Sequence, residues 1–510
     1  MHNRSLGILL PIFSLPSKYG IGTFGKEAYK FIDFLRSAGQ SYWQILPLGP
    51  TSYGDSPYSS FSVFAGNPYF IDLEVLEEEG FINKADLETI NFNNNDEYID
   101  YKKLFDTRYE ILKKAYVNKG KFLCLTSFTE HNKWVLDYAL FMALKYENNQ
   151  LPWYKWDEML AKRDAIAIER IKNELKDEIN FWIFLQYVFF NQYFKLKEYA
   201  NNSGISIIGD IPIYVAEDSV DIWAERKLFM TDENNLPACI AGVPPDDFSD
   251  EGQLWGNPVY NWEYLKEAEF EWWINRIDFS LRLYDVVRID HFRGFDEFWA
   301  VPYGSENAIN GRWLPAYGKE LFQKINERLG SINIIAEDLG IITDSVVKLK
   351  KDLGFPGMKV LQFAFDGNPC NPYLPDNYEE NSVAYTGTHD NDTLKGWFEK
   401  LDDIEKQYVL DTLNINEKNN DNDDEKNRDN VIYELIKALY KSKACLCIIP
   451  MQDFICLGSK ARINTPSTFG NNWCWKLKGT MITDELAEKI KDIADETKWE
   501  RKNLISKSII

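Results

Sequence analysis

The chain has 510 residues, long enough for about three average domains or for one large barrel with insertions. Its 57 Lys and Arg stand against 79 Asp and Glu, a formal net charge of −22 that repels phosphate backbones and anionic membrane surfaces, so neither nucleic acid nor membrane is an expected partner. Aromatic residues make up 15% of the chain, more than a core usually requires, and suit either stacking on flat sugar faces or an aromatic-rich core.

The first 20 residues carry Arg4 and a short apolar run, but Pro11 and Pro16 break that run and no clear cleavage site follows. The apolar stretch 181–190, FWIFLQYVFF, is about half the length needed to span a bilayer and contains Gln186. The seven cysteines are scattered, with no CxxC pair and no nearby His to complete a zinc site. Together these features predict a cytoplasmic protein with reduced thiols.

In chain order, short apolar runs ending in polar residues predict eight strands: 5–11, 41–49, 206–215, 284–292, 332–340, 358–366, 382–390 and 445–453. Helical patterns such as 25–39 and 344–354 lie between most of them, the alternation of a parallel sheet. Eight such units predict a (β/α)8 TIM barrel whose site lies at the C-terminal ends of the strands, where Asp210, Asp290, Glu337, Asp366, Asp390 and Asp453 fall. A doubly wound sheet would alternate similarly, but neither GxGxxG nor a phosphate loop is present. The chain is read as one catalytic unit over 1–510 with three insertions. These are a largely helical one over 51–200, one over 216–283 with a turn-rich loop at 242–258, and an acidic, mobile one at 413–430.

The chemistry concentrates in three strand ends. In VVRIDHFRG (286–294), Arg288 and Asp290 share one face of an extended strand, so a carboxylate at a barrel mouth is held ionised by a cation beside it, as a nucleophile requires; an ordinary buried ion pair is the alternative. Glu337 follows three apolar residues and is suited to being kept protonated as an acid, or is a solvated strand-end residue. In THDND (388–392), Asp390 is a third carboxylate, with a helix cap or a metal ligand as alternatives. Only four His occur, without HxH or HExxH spacing, and no GxSxG elbow is present, so metal hydrolysis and Ser/His/Asp catalysis are poorly supported. Carboxylates of opposite protonation with a third nearby are what glycosidic bond chemistry needs.

The ordered set of GDSPYSSFSVFAGNPY (54–69), GDIPIYVAEDSVD (209–221), GVPPDDFSDEGQLWGNPVY (242–260), VRIDHFRGF (287–295), AEDLG (336–340), GMKVLQFAFD (357–366), TGTHDNDT (386–393) and ARINTP (461–466) resembles the amylomaltases, 4-α-glucanotransferases of the α-amylase superfamily. The resemblance implies a barrel without a separate C-terminal β-sandwich. It also implies retaining transfer of α-1,4-glucan segments between maltooligosaccharides, which serve as donor and acceptor, with no cofactor and no metal. Asp290 is similar to the family's nucleophile, Glu337 to its general acid/base and Asp390 to its transition-state stabiliser. Arg288, His389, Asp210 and Tyr58 match positions around the cleavage point, Gln253 and Trp255 fall in a mobile loop, and Asn464 resembles a further sugar contact. The departures are Asp247, where the family often has an aromatic residue, and the acidic insertion near 420. An amylase-type α-1,4-glucan hydrolase and, more remotely, a catalytically silent glucan-binding protein are the rival functions.

Overall fold

The computed structural model describes residues 4–507 except 53, 89, 93, 94, 96, 235, 246–248, 416–423 and 469. Asp247 therefore lies outside the described residues. Twelve strands run in chain order: β1 (Ser5–Leu9), β2 (Tyr42–Gln44), β3 (Ser206–Pro212), β4 (Cys239–Val243), β5 (Gln253–Pro258), β6 (Val286–Asp290), β7 (Glu297–Pro302), β8 (Arg312–Pro315), β9 (Ile334–Ala336), β10 (Gly357–Val360), β11 (Ser382–Tyr385) and β12 (Leu446–Pro450). Eight of them close a parallel barrel in the cyclic order β1-β2-β3-β6-β9-β10-β11-β12; seven lie within the predicted runs and β10 begins one residue before its own. The barrel strands are buried on both sides and so read as continuous apolar stretches. Several end earlier than predicted: β10 stops at Val360 and β11 at Tyr385, and the polar residues beyond them form turns at the mouth.

Between β2 and β3 the chain forms a series of helices that ends in one of 27 residues, Lys176–Asn202, about 40 Å long. This helix contains the apolar run 181–190 and shows why Gln186 interrupts it. The Gln186 amide accepts from Gly66 N at 2.7 Å and donates to Gly66 O at 2.9 Å, while Gln192 makes the same pair of bonds with Asp72. A Cβ on Gly66 would meet the Phe189 ring at 2.2 Å, so only glycine allows this approach. Two buried amides thus staple the segment that follows Tyr58 to the helix, satisfying backbone groups that no sheet supplies. Among the described residues, no helix is long and apolar enough to cross a membrane.

Strands β5-β4-β7-β8 form a separate antiparallel sheet beside the mouth. Sequence patterning did not predict it, and it changes the reading of 242–258. The expected single loop is a hairpin, with β4 and β5 paired through Val243↔Gln253 and Gly242↔Leu254. Asn257 Nδ2 donates to Val215 O at 2.8 Å and Tyr260 Oη to Ile213 O at 2.8 Å, anchoring this arm to the chain leaving β3. Of the acidic stretch 413–430, residues 416–423 lie outside the described residues, and a helix spans Asp424–Lys441. After β12 no further strand follows among the described residues, and the helix Asp484–Lys507 packs against the helices Lys26–Ser37 and Asp424–Lys441.

Candidate active site

The residues singled out at the strand ends meet in one network. Asp210 and Arg288 are register partners on β3 and β6. Arg288 Nη1 lies 2.7 and 2.6 Å from the two Asp210 oxygens, and Nη2 lies 2.9 Å from Asp290 Oδ1. The Asp210 side chain is 0% exposed and that of Asp290 is 32%, so one guanidinium joins a fully buried carboxylate to one that faces the mouth. Burial works against the Arg288 charge, but Asp210 and Asp290 outweigh it and hold the guanidinium charged. Burial pushes the Asp210 pKa up, and Arg288 opposes that rise.

Removing Asp210 leaves the buried Arg288 with only the part-exposed Asp290 as counter-charge, so Asp210→Ala is expected to lower unfolding stability, by at most about 3–5 kcal/mol. Loss at the partly exposed Asp290 is expected to cost far less. Urea midpoints of the two variants check this, and equal midpoints would contradict the burial argument.

Glu337 follows β9 directly and is half-buried. Its two oxygens accept the backbone N–H groups of His291 at 2.6 Å and Leu339 at 2.8 Å. Burial, followed by the nearby Asp290 charge, pushes its pKa up to about 7, against the opposing pull of Arg288 and the two N–H donors. The neighbouring Asp338 fixes the turn: it accepts from Met358 N at 2.7 Å and pairs with Lys350.

Past β11, His389 Nε2 lies 3.2 Å from Asp390 Oδ2, and Asn464 Nδ2 donates to Asp390 Oδ1 at 2.6 Å. Burial tends to raise the Asp390 pKa, but the His389 charge and hydrogen bond, with Asn464, bring it down to about 2. His389 moves the opposite way: burial lowers its pKa, but the Asp390 charge and hydrogen bond, with Asp210, together bring it above the usual histidine value. The helix-cap alternative for this segment goes elsewhere. Thr393 caps the helix Leu394–Lys400, and Asp392 bonds Thr393 N and Ser459 Oγ.

Tyr58 joins the halves of the site. Its Oη donates to Asp210 Oδ2 at 2.8 Å and lies 3.4 Å from His389 Nδ1, and its ring stacks on the imidazole at 5.0 Å. Trp255, on β5, is 37% exposed and meets the His291 ring edge-on at 4.7 Å, while its Nε1 donates to Gln253 Oε1 at 3.2 Å. Asn464 spends one amide hydrogen on Asp390.

Two strand-end carboxylates stay out of the network. Asp366 is exposed and accepts from Asn368 N, and Asp453 is buried, holding Thr386 Oγ1 and Leu394 N. Two contributors escaped sequence reasoning. Arg462 donates to Asp390 O at 2.5 Å and to Asn464 O at 2.7 Å, and buried Trp473 lies 5.7 Å from both Tyr58 and His389. Arg462 is two residues before Asn464 and was visible only as part of the ARINTP motif; no pattern marks Trp473. Among the described residues, no group of three His, Cys, Asp or Glu is placed to hold a metal ion.

A family model described as 4-alpha-glucanotransferase matches residues 10–483. The 4-alpha-glucanotransferase of Clostridium butyricum is 51% identical over 484 residues, covering 94% of this chain and 97% of its own. That of Streptococcus pneumoniae is 44% identical, covering 99% of each. Among solved structures, the amylomaltase from Streptococcus agalactiae in complex with acarbose superposes with a TM-score of 0.92 at 43% identity, covering 96% of this chain and 98% of that one. These similarities favour transfer over the amylase-type hydrolase, and the chain belongs to the 4-alpha-glucanotransferase family.

Proposed function

We propose that this 4-α-glucanotransferase works by a retaining double displacement carried by Asp290, Glu337 and Asp390, with maltooligosaccharides as donor and acceptor. The observation that carries the reading is the contrast between two neighbouring carboxylates. Asp290 is ion-paired to Arg288 at the mouth, while Glu337, on the next strand, has its pKa pushed up to about 7 by burial.

In the first step Glu337 gives its proton to the glycosidic oxygen as Asp290 attacks C1; the C1–O bond breaks, and a glycosyl ester and a free 4-hydroxyl result. In the second step the Glu337 carboxylate takes the proton of an acceptor 4-hydroxyl, whose oxygen displaces the ester. One glycosidic bond is lost and one gained. Asp390, ionised across the working pH range and steered by His389 and Asn464, binds sugar hydroxyls and the charge that develops at C1. Asp210 and Tyr58 complete the donor side. That the S. agalactiae amylomaltase forms a complex with acarbose supports oligosaccharide binding by this chain. All seven cysteines are free, in keeping with the reducing cytoplasm where we place the enzyme.

Transfer must outrun attack by water, which is far more concentrated than any glucan, so an acceptor has to be positioned and loose water excluded. We assign that work to the arm bearing Gln253 and Trp255. With maltotriose as sole substrate, we expect glucose or maltose together with longer oligomers, and an almost constant number of reducing ends. Trp255→Ala is expected to lower the ratio of transfer to hydrolysis more than it lowers total bond cleavage. Steady release of reducing ends by the unmodified enzyme, without any oligomer longer than maltotriose, would refute the transfer reading.

A further inference from the structure

β11 ends at Tyr385, so the turn that carries His389 and Asp390 has no ladder to fix it, and the carbonyls of both residues take donors from elsewhere in the chain. Those donors belong to residues 462–464. Asn464 N donates to His389 O at 3.1 Å, Arg462 Nη2 to Asp390 O at 2.5 Å, and Asn464 Nδ2 to Asp390 Oδ1 at 2.6 Å. Arg462 Nε also donates to Asn464 O at 2.7 Å, so one guanidinium joins the main chain of Asp390 to that of Asn464. The segment has other anchors as well: Gln452 Nε2 donates to Ala461 O at 3.2 Å, Trp473 N to Ile463 O at 2.7 Å, and Thr465 N to Asn472 Oδ1 at 3.0 Å.

We infer that Arg462 is a positioning residue, which sets Asp390 against Asn464 so that the carboxylate meets the charge developing at C1. The inference rests on Asp390 being the stabiliser. Its side chain is 42% exposed and is gripped from two sides, with His389 Nε2 3.2 Å from Oδ2 and Asn464 on Oδ1. A carboxylate stabilises a transition state best when it is already aimed there, because turning during the reaction costs part of the gain. His389 shares a turn with Asp390 and moves with it. Asn464 arrives from 74 residues away, so its place against Asp390 depends on the bonds that cross between the two segments, and Arg462 supplies a tie that ends on the main chain of Asp390 itself. Both of its bonds end on carbonyls held apart by a planar fork. A lysine ammonium is a point donor on a flexible stem and cannot fix that separation.

Steady-state kinetics on maltotriose, with a thermal melt of each protein, test this in Arg462→Gln, Arg462→Lys, Asn464→Ala and the Arg462→Gln, Asn464→Ala double variant, with Asp390→Asn as reference. Arg462→Gln is expected to lower kcat by about tenfold to a hundredfold, the cost of a displaced catalytic group. KM should change by less than about threefold, because the charge at C1 exists only in the transition state while His389 and Tyr58 keep their hold on the bound sugar. Arg462→Lys should show most of the same loss, and it takes over the comparison should the glutamine variant not fold. The double variant should fall less than about threefold below Asn464→Ala, because both substitutions act through one contact to Asp390. A merely structural role would instead lower the melt and multiply the two losses. Kinetics of Arg462→Gln that superpose on those of the unmodified enzyme, a loss confined to KM, full activity in Arg462→Lys, or a double loss equal to the product of the singles would each overturn the positioning role. An Asp390→Asn variant that keeps its kcat would overturn the stabiliser reading, and the inference with it.

Discussion

Asp290→Asn is expected to abolish transfer, lowering kcat on maltotriose by at least about a thousandfold, or about 4 kcal/mol of barrier. The amide has nearly the volume of the carboxylate but is a poor nucleophile, so the glycosyl ester does not form. The fold should tolerate the change, because the Asp290 side chain is 32% exposed and Arg288 keeps both contacts to Asp210. Glucan binding should persist through Asp390, His389 and Tyr58. The measurement pairs single-turnover kinetics with a thermal melt and a binding titration. A folded variant that binds glucan and retains more than about a thousandth of the activity would remove Asp290 from the nucleophile role.

The barrel could be read from the sequence because its strands are buried on both sides, so eight apolar runs stand out, each closing on polar residues at one end of the fold. The antiparallel arm could not. Its strands are four to six residues long, carry Gly242, Gly256 and a terminal Pro258, and mix buried with part-exposed positions, so no alternation of period two separates them from a turn-rich loop. Asp290 and Arg288 were conspicuous because ionic side chains inside an apolar strand demand a partner. The further partner, Asp210, sits across β3 and β6, and only the register shows that one guanidinium serves both carboxylates. Asp390 read equally well as a helix cap, and the family resemblance alone preferred a catalytic role. A backbone donor leaves no trace in residue type, and the left-handed turn at His291 that aims its N–H at Glu337 is visible only in the fold.

Glu337→Gln should separate the two halves of the reaction. With maltotriose the variant is expected to lose about a hundredfold to ten-thousandfold in kcat/KM, since the sugar alkoxide leaves slowly without a proton. The alkaline limb should vanish with it. In the unmodified enzyme, burial places the Glu337 pKa at about 7, so the acid form is depleted and the rate falls as pH rises through that value; glutamine has no proton to lose there. A glycosyl fluoride donor changes the demand, because fluoride departs with little help from an acid. Asp290 should still be glycosylated, and without a base to activate the acceptor the ester should accumulate. Intact-protein mass spectrometry would then record a glycosyl adduct on Glu337→Gln and none on the Asp290→Asn, Glu337→Gln double variant. Absence of the adduct on a folded single variant, or equal losses with maltotriose and the fluoride, would contradict this division of labour between the two carboxylates.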